Sequence, residues 1–133
     1  MNVSMDKWLK EAKESENAKK VGMWLTHNGV VRATPKAVVR AENGKDAENQ
    51  AEKTVAGMEF GYDKEKLQQV LEEGKNLTGV YYLRAELASG KLSVGDDIMF
   101  VLIGADTRPH AVDALNKIVG EIKANCVTEK EIL

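Results

Sequence analysis

The sequence of 133 residues contains one cysteine, two prolines and few aromatic residues. The single cysteine, Cys126, excludes an intramolecular disulfide and argues against a metal cage built from cysteine ligands. The aromatic residues, 5% of the chain, are not interleaved with basic residues, which argues against a stacking platform for single-stranded nucleic acid. The net charge of -2 provides no overall positive field for nucleic acid or for an anionic membrane.

Long hydrophobic runs are absent as well. The longest apolar run spans residues 98–105, far short of the roughly 20 residues that a membrane helix needs. Residues 1–20 are rich in Lys and Glu and lack the apolar centre of a secretory signal. We therefore expect a cytoplasmic protein with no membrane partner.

Common catalytic and ligand-binding motifs are also missing. The chain has no GxGxxG, P-loop, CxxC, HExxH or GxSxG pattern. Its two histidines, His27 and His110, lie far apart in sequence without a carboxylate pattern beside them, so no metal site is predicted. Without these motifs, the sequence predicts a globular domain but does not indicate its chemistry.

Apolar spacing predicts three helices and five strands. Residues spaced three and four apart define each helix, whereas β-branched and apolar runs define the strands. The helices have N-caps at Ser4, Asp63 and Thr107; the second ends at Gly74 and the third near Asn125. The strands are predicted over residues 21–31, 55–62, 80–87, 98–105 and 127–133. In the third strand Tyr81, Leu83, Ala85 and Leu87 are expected on one face.

This order of elements predicts a single α+β domain over residues 1–133. We expect a mixed or antiparallel sheet packed with helices in a sandwich, with an α/β arrangement as the alternative. The continuous apolar character of residues 98–105 is typical of a central strand that is covered on both faces. A polar loop excursion over about residues 33–54 is expected, of a kind that often lies beside a binding site.

Three segments together resemble a known family. The first strand closes on GVVR at residues 29–32, and VGDDI at 94–98 leads into an apolar strand that ends in ADTR at 105–108. Lys123 follows Arg108 by fifteen residues, and Lys130 lies seven further on. This order and spacing resemble the large, catalytic subunit of molybdopterin synthase, over about residues 21–131 but poorly across 33–54.

The resemblance implies a sulfurtransferase of molybdenum cofactor biosynthesis. Such an enzyme converts a cyclic pyranopterin monophosphate precursor into the dithiolene of molybdopterin. Its sulfur arrives as a thiocarboxylate on the C-terminal Gly-Gly tail of a small ubiquitin-like subunit. Two large subunits would form a central homodimer within a heterotetramer, and neither a metal nor an organic cofactor would be needed.

The resemblance also implies roles for five residues. Lys123 matches the family's catalytic lysine, and Arg32 and Arg108 match arginines that bind the precursor. Lys130 matches the second functional lysine, expected to assist catalysis by positioning the substrate and sharing in proton transfer. Arginine suits bidentate contact with phosphate, and a helix start such as that at Arg108 favours an anion. Thr107 stands at a substrate-binding position where the family commonly has histidine.

Two further departures from the family keep alternatives open. Glu129 replaces the aromatic residue that commonly precedes the second lysine, and family chains usually continue well past that lysine. A non-catalytic relative that binds a ubiquitin-like tail or another anionic ligand is therefore the main alternative. An unrelated ligand-sensing α+β domain is the other. Each of these residues also has a structural explanation. Lys123 lies near a helix end, where a lysine compensates the helix dipole. Lys130 also fits an ordinary charged tail, and Arg32 an ordinary surface position.

Overall fold

The chain forms helices and two small sheets in a computed structural model that describes residues 1–36 and 54–133. The helices in these ranges are α1 (Met5–Lys13), α2 (Lys64–Gly74) and α3 (Arg108–Glu121), with a 3₁₀ turn at Glu16–Lys20 and a π-helical turn at Ile122–Cys126. The strands are β1 (Met23–Val30), β2 (Gly57–Tyr62), β3 (Val80–Leu87), β4 (Gly90–Ser93), β5 (Asp97–Ala105) and β6 (Val127–Ile132). Most of the predicted loop excursion over residues 33–54 lies outside the described residues.

All strand pairs that the structure describes are antiparallel. Sheet I has the order β1-β5-β3, so β5 is the central strand that its apolar sequence predicted. Sheet II has the order β4-β2-β6. The α+β class is confirmed, with antiparallel pairing in both sheets.

The two faces of β5 are buried against different partners. Val101 and Ile103 face the main core, which they share with α2, α3 and sheet II. Phe100 and Leu102 face the opposite way, where α1 covers them with Trp8. Because side chains alternate along a strand, a run buried on both faces must be apolar at every position.

Two helix starts follow directly from local sequence. The Ser4 hydroxyl accepts the N–H of Lys7 at 3.3 Å, and the Asp63 carboxylate accepts that of Lys66 at 3.1 Å, so both residues act as predicted N-caps. Thr107 occupies the N-cap position of α3, but its side chain makes no capping hydrogen bond. It is directed instead to the neighbouring Asp106 carboxylate, with Oγ1 at 3.3 Å from Oδ1.

Two details of the strands differ from the sequence prediction. Tyr81 is exposed, because the pairing of β3 with β5 shifts register between Val80 and Tyr82 and turns Tyr81 away from the core. The sequence predicts no strand between those over residues 80–87 and 98–105, whereas the structure has β4 there, paired with β2 from Gly57 to Phe60. Within the described ranges, no helix is long and apolar enough to cross a membrane.

Candidate functional site

A cleft of about 250 Å³ opens where the end of β1 meets the π-helical turn and β6. Its apolar lining comes from β1, β2, β5 and β6, and its polar lining carries three cations, two carboxylates and one histidine. The described residues that line it are His27, Gly29, Val30, Arg32, Lys36, Met58, Phe60, Ile98, Met99, Lys123, Val127, Glu129 and Glu131. With three cations against two carboxylates, this lining favours an anionic ligand that has an apolar body.

Lys123 enters this cleft from the π-helical turn that joins α3 to β6. Ile122 and Cys126, at the two ends of the turn, are buried, and burial raises the pKa of the Cys126 thiol above its ordinary value. The turn is thus anchored by apolar side chains, while Lys123 itself is exposed. Single π-helical turns are rare and frequently lie at functional sites.

Arg32 lines the cleft and directly follows Val31, a buried residue whose backbone is held by two hydrogen bonds. Val31 is 2% exposed; its N–H donates to the Asp96 carbonyl at 3.0 Å and its carbonyl accepts the N–H of Gly95 at 2.8 Å. The exposed Arg32 donates from Nε to the Thr34 carbonyl at 3.1 Å. The backbone before the arginine is therefore fixed, while the exposed Arg32 side chain lines the cleft.

Lys36 carries no sequence motif that predicts a functional role, yet it lines the same cleft. Its ammonium lies 2.6 Å from Oε2 of Glu129, and its backbone N–H lies 3.2 and 3.3 Å from the two carboxylate oxygens of Glu131. Glu129, at the position where an aromatic residue was expected from the resemblance, is thus a paired cleft residue. Its negative charge is largely compensated by Lys36, because the two side chains are only 17% and 34% exposed.

His27 is the second cleft residue that the sequence reasoning missed, since it was considered only as a metal ligand. Burial, and then the positive charge of Lys123, lower the pKa of His27 below its ordinary value of 6.5. The imidazole is therefore neutral at neutral pH. The alternation of β1 carried a signal for this position, because Leu25, His27 and Gly29 share the inward face of the strand.

We expect Lys123→Met to raise the pKa of His27 towards 6.5 without reaching it, because the charge of Lys123 disappears while burial remains. Proton NMR titration of the imidazole resonances measures this directly, with His110 as the internal reference, since the chain has two histidines. An unchanged His27 midpoint would show that the two groups do not interact. Because the folded pKa lies below the unfolded value, His27 lowers stability as pH falls below 6.5.

The remaining predicted site residues lie elsewhere in the chain. Thr107 and Arg108 are at the start of α3, and both are exposed. The helix has 14 residues, which places Arg108 and Lys123 about 20 Å apart at opposite ends. Lys130 is exposed on the face of β6 opposite to Glu129 and pairs in register with Glu59 of β2. A single chain thus brings Arg32 and Lys123 together in the cleft, but not Arg108, Thr107 or Lys130.

The start of α3 carries its own polar cluster. The Asp106 carboxylate lies 2.7 Å from Nδ1 of His110 and accepts the N–H of Thr107 at 2.6 Å. The hydrogen bond with His110 is the main reason why the pKa of Asp106 is lowered. Among the described residues, no group of three His, Cys, Asp or Glu side chains is arranged to hold a metal ion.

The chain matches one protein family and several solved structures. The family model described as MoaE protein matches residues 2–125. The chain is similar to molybdopterin synthase from Staphylococcus aureus, at 18% identity and a TM-score of 0.70 over 98% of this chain and 85% of that one. It is also similar to a molybdopterin biosynthesis MoaE protein from Burkholderia ambifaria MC40-6, at 15% identity and a TM-score of 0.69 over 99% and 84% of the two chains.

A third similar structure is a complex of subunits 1 and 2 of molybdopterin-converting factor from Helicobacter pylori 26695. Its identity is 18% and its TM-score 0.62, over 98% of this chain and 83% of that one. Among curated proteins, none shows a significant sequence match to the chain. At these low identities, the structural likenesses support the fold.

Proposed function

The chain belongs to the MoaE protein family, and from this premise we propose that it is the catalytic large subunit of a molybdopterin synthase. Its family and the molybdopterin synthase structures of the same fold support a role in molybdenum cofactor biosynthesis. In the proposed reaction, sulfur passes from the thiocarboxylate tail of a small ubiquitin-like subunit to cyclic pyranopterin monophosphate. The solved complex of subunits 1 and 2 supports a small-subunit partner.

The observation that carries this proposal is the position of Lys123 and Arg32 in one cleft. Both proposed substrates are anions, a phosphate-bearing pterin and a thiocarboxylate. A guanidinium in the cleft lining suits bidentate contact with phosphate, and an ammonium on a flexible stem suits a charge that moves during the reaction. Apolar side chains such as Val30, Ile98 and Val127, which are not fully buried, offer a surface for the flat pterin ring.

Lys123 is the proposed catalytic residue. When the tail carbonyl is attacked, negative charge develops on its oxygen, and an ammonium placed there lowers the barrier. The exposed Lys123 side chain lies in the same cleft as Arg32, so its ammonium and the guanidinium can act on one anionic substrate. Lys130, on the other face of β6, is proposed to position the incoming tail and not the precursor.

Arg108 and Thr107 require a second copy of the chain in this proposal. Within one chain they lie about 20 Å from Lys123 along the backbone of α3, outside the cleft that Lys123 and Arg32 line. In a symmetric homodimer, the α3 start of one copy can lie at the cleft of the other. We therefore propose that each site combines Lys123 and Arg32 of one subunit with Arg108 and Thr107 of its partner.

One observation favours a second candidate function, a non-catalytic module that binds a ubiquitin-like tail. Glu129 and Glu131 place two carboxylates in the cleft, and both hold Lys36. This pairing removes a cation from the precursor's reach and leaves a cleft with less positive charge. A binding module needs the groove for the tail but has no need of a catalytic lysine.

Single-turnover conversion of the precursor separates the two candidates. The purified protein is mixed with cyclic pyranopterin monophosphate and a thiocarboxylated small subunit from the same organism, and the dithiolene product is quantified. The synthase proposal expects product within one turnover. Tight binding of the small subunit without product would support the binding module, and neither binding nor product would overturn both candidates.

A further inference from the structure

We propose that His27 is a second catalytic group of the cleft, the base that activates water when the tail is released from the transferred sulfur. The inference rests on the proposed sulfur transfer and adds to it a residue that the family resemblance does not assign. It is carried by the placement of the His27 ring in the same cleft as Lys123, beside a glycine that leaves room for a small molecule.

The register of sheet I fixes the direction of the His27 side chain. His27 pairs with Val101, and Gly29 pairs with Met99, both of which belong to the main core. Since cross-strand partners share a face, His27 points inward to the cleft and not outward with its neighbours Thr26 and Asn28. The ring is partly buried, so its position is constrained while one edge meets the cleft.

Gly29 opens the space around the reactive nitrogen. A Cβ at residue 29 would lie 4.0 Å from Nε2 of His27 and 3.9 Å from Cβ of Met99. A side chain at this position would therefore begin in van der Waals contact with Nε2, whereas glycine adds no atom beside this nitrogen. With glycine at the position, the nitrogen faces open cleft, where a water molecule and the end of a peptide tail can approach.

The charged groups around His27 keep its imidazole ready to accept a proton. Lys123 faces it from the π-helical turn, Glu129 and Glu131 from β6, and Arg32 and Lys36 from the segment after β1. The Lys36 ammonium pairs with Glu129, and Arg32 and Lys123 together outweigh the single remaining carboxylate of Glu131, so the net charge of the cleft lining is positive. Burial together with Lys123 lowers the pKa of His27, which leaves a neutral base at neutral pH.

The chemistry of the transfer needs such a base. When the thiocarboxylate sulfur bonds to a precursor carbon, a C–O bond at that carbon gives up its electron pair to the oxygen, which takes a proton, and the sulfur remains attached to the tail's acyl carbon as a thioester. Water then adds its oxygen to the acyl carbon while one water proton moves to Nε2 of His27. The C–S bond breaks with its electron pair on sulfur, so the precursor keeps a thiolate and the tail leaves as a carboxylic acid that ionises. The proton on His27 passes to the thiolate or to solvent, and no oxidant or reductant is consumed.

The test follows the two steps separately in His27→Gln under single-turnover conditions. Mass spectrometry quantifies the covalent adduct of tail and precursor, and then the released tail carboxylate. We expect the adduct to form at the wild-type rate and to be hydrolysed about 10²-fold more slowly. The wild-type hydrolysis rate should fall as pH drops through the lowered pKa of His27, below 6.5, whereas that of His27→Gln should not.

The control is Thr26→Gln, which changes an exposed residue on the opposite face of β1 and should leave both steps unchanged. Hydrolysis in His27→Gln at the wild-type rate and with the wild-type pH profile would overturn the role of His27 and leave the sulfur transfer intact. Loss of adduct formation in both His27→Gln and His27→Asn would overturn the assignment to the water step. If the wild type forms neither adduct nor product, the proposed function fails, and the inference fails with it.

Discussion

Lys123→Ala is expected to lower the single-turnover rate of dithiolene formation by about 10²- to 10³-fold. This magnitude is typical when one group that stabilises developing negative charge is removed from an active site. Lys123 is exposed on a turn whose anchors are Ile122 and Cys126, so truncation removes the ammonium without opening a cavity in the core. The fold and the binding of the small subunit should therefore be nearly unchanged.

The matched control is Lys117→Ala, because Lys117 is an exposed lysine of α3 that does not line the cleft. Both variants lose one positive charge, so any difference between them reports position and not net charge. The rate is measured by rapid quench with saturating thiocarboxylated small subunit, and binding is measured by calorimetry. Equal rates for Lys123→Ala, Lys117→Ala and wild type would remove Lys123 from the mechanism.

The elements predicted most accurately depend on neighbours in sequence. Ser4 and Asp63 cap their helices by accepting hydrogen bonds from residues three positions on. A few adjacent residues therefore determine where each helix begins. The strand at residues 98–105 was recognisable because burial on both faces demands an unbroken apolar run. Membership of the family, inferred from spaced motifs, is confirmed by the match over residues 2–125.

The details that were wrong depend on pairing between distant segments. The irregular register near Tyr81 arises where β3 meets β5, and nothing in the alternation of β3 alone reveals it. β4 was overlooked because its four residues, GKLS, lack an apolar pattern and become a strand only beside β2. Thr107 is a local exception, since its side chain is directed to the adjacent Asp106, whose carboxylate also lies beside His110 four residues away.

In the cleft, too, some residues could be identified from local motifs, whereas others are placed there only by contacts between distant segments. Lys123 and Arg32 were identified by motif, and the structure places them together. His27 and Lys36 carry no motif, and their relation to Lys123, Glu129 and Glu131 exists only because β1, the π-helical turn and β6 converge. Charge pairs such as Lys36 with Glu129, 93 residues apart, are set by tertiary packing and leave no trace in sequence spacing.

A large effect on activity is also expected for Arg108, and mixed dimers test which chain's site it serves. Arg108→Ala alone should lower activity by about 10- to 100-fold, the loss expected for a charge-assisted hydrogen bond to phosphate. If Arg108 serves the cleft of the partner, a heterodimer of one Lys123→Ala chain and one Arg108→Ala chain contains one site with neither change. We expect that heterodimer, purified through two different tags, to keep about half of the wild-type rate.

The matched control carries the same two substitutions together on one chain. A heterodimer of one wild-type chain and one chain carrying both Lys123→Ala and Arg108→Ala has the same composition, yet each of its sites would lack one group. It should therefore show only the low activity of the single variants. The opposite pattern, an active control and an inactive complementing pair, would mean that Arg108 and Lys123 act within one chain. That result would contradict their separation by about 20 Å along α3 and would require the helix to be rearranged in the working enzyme.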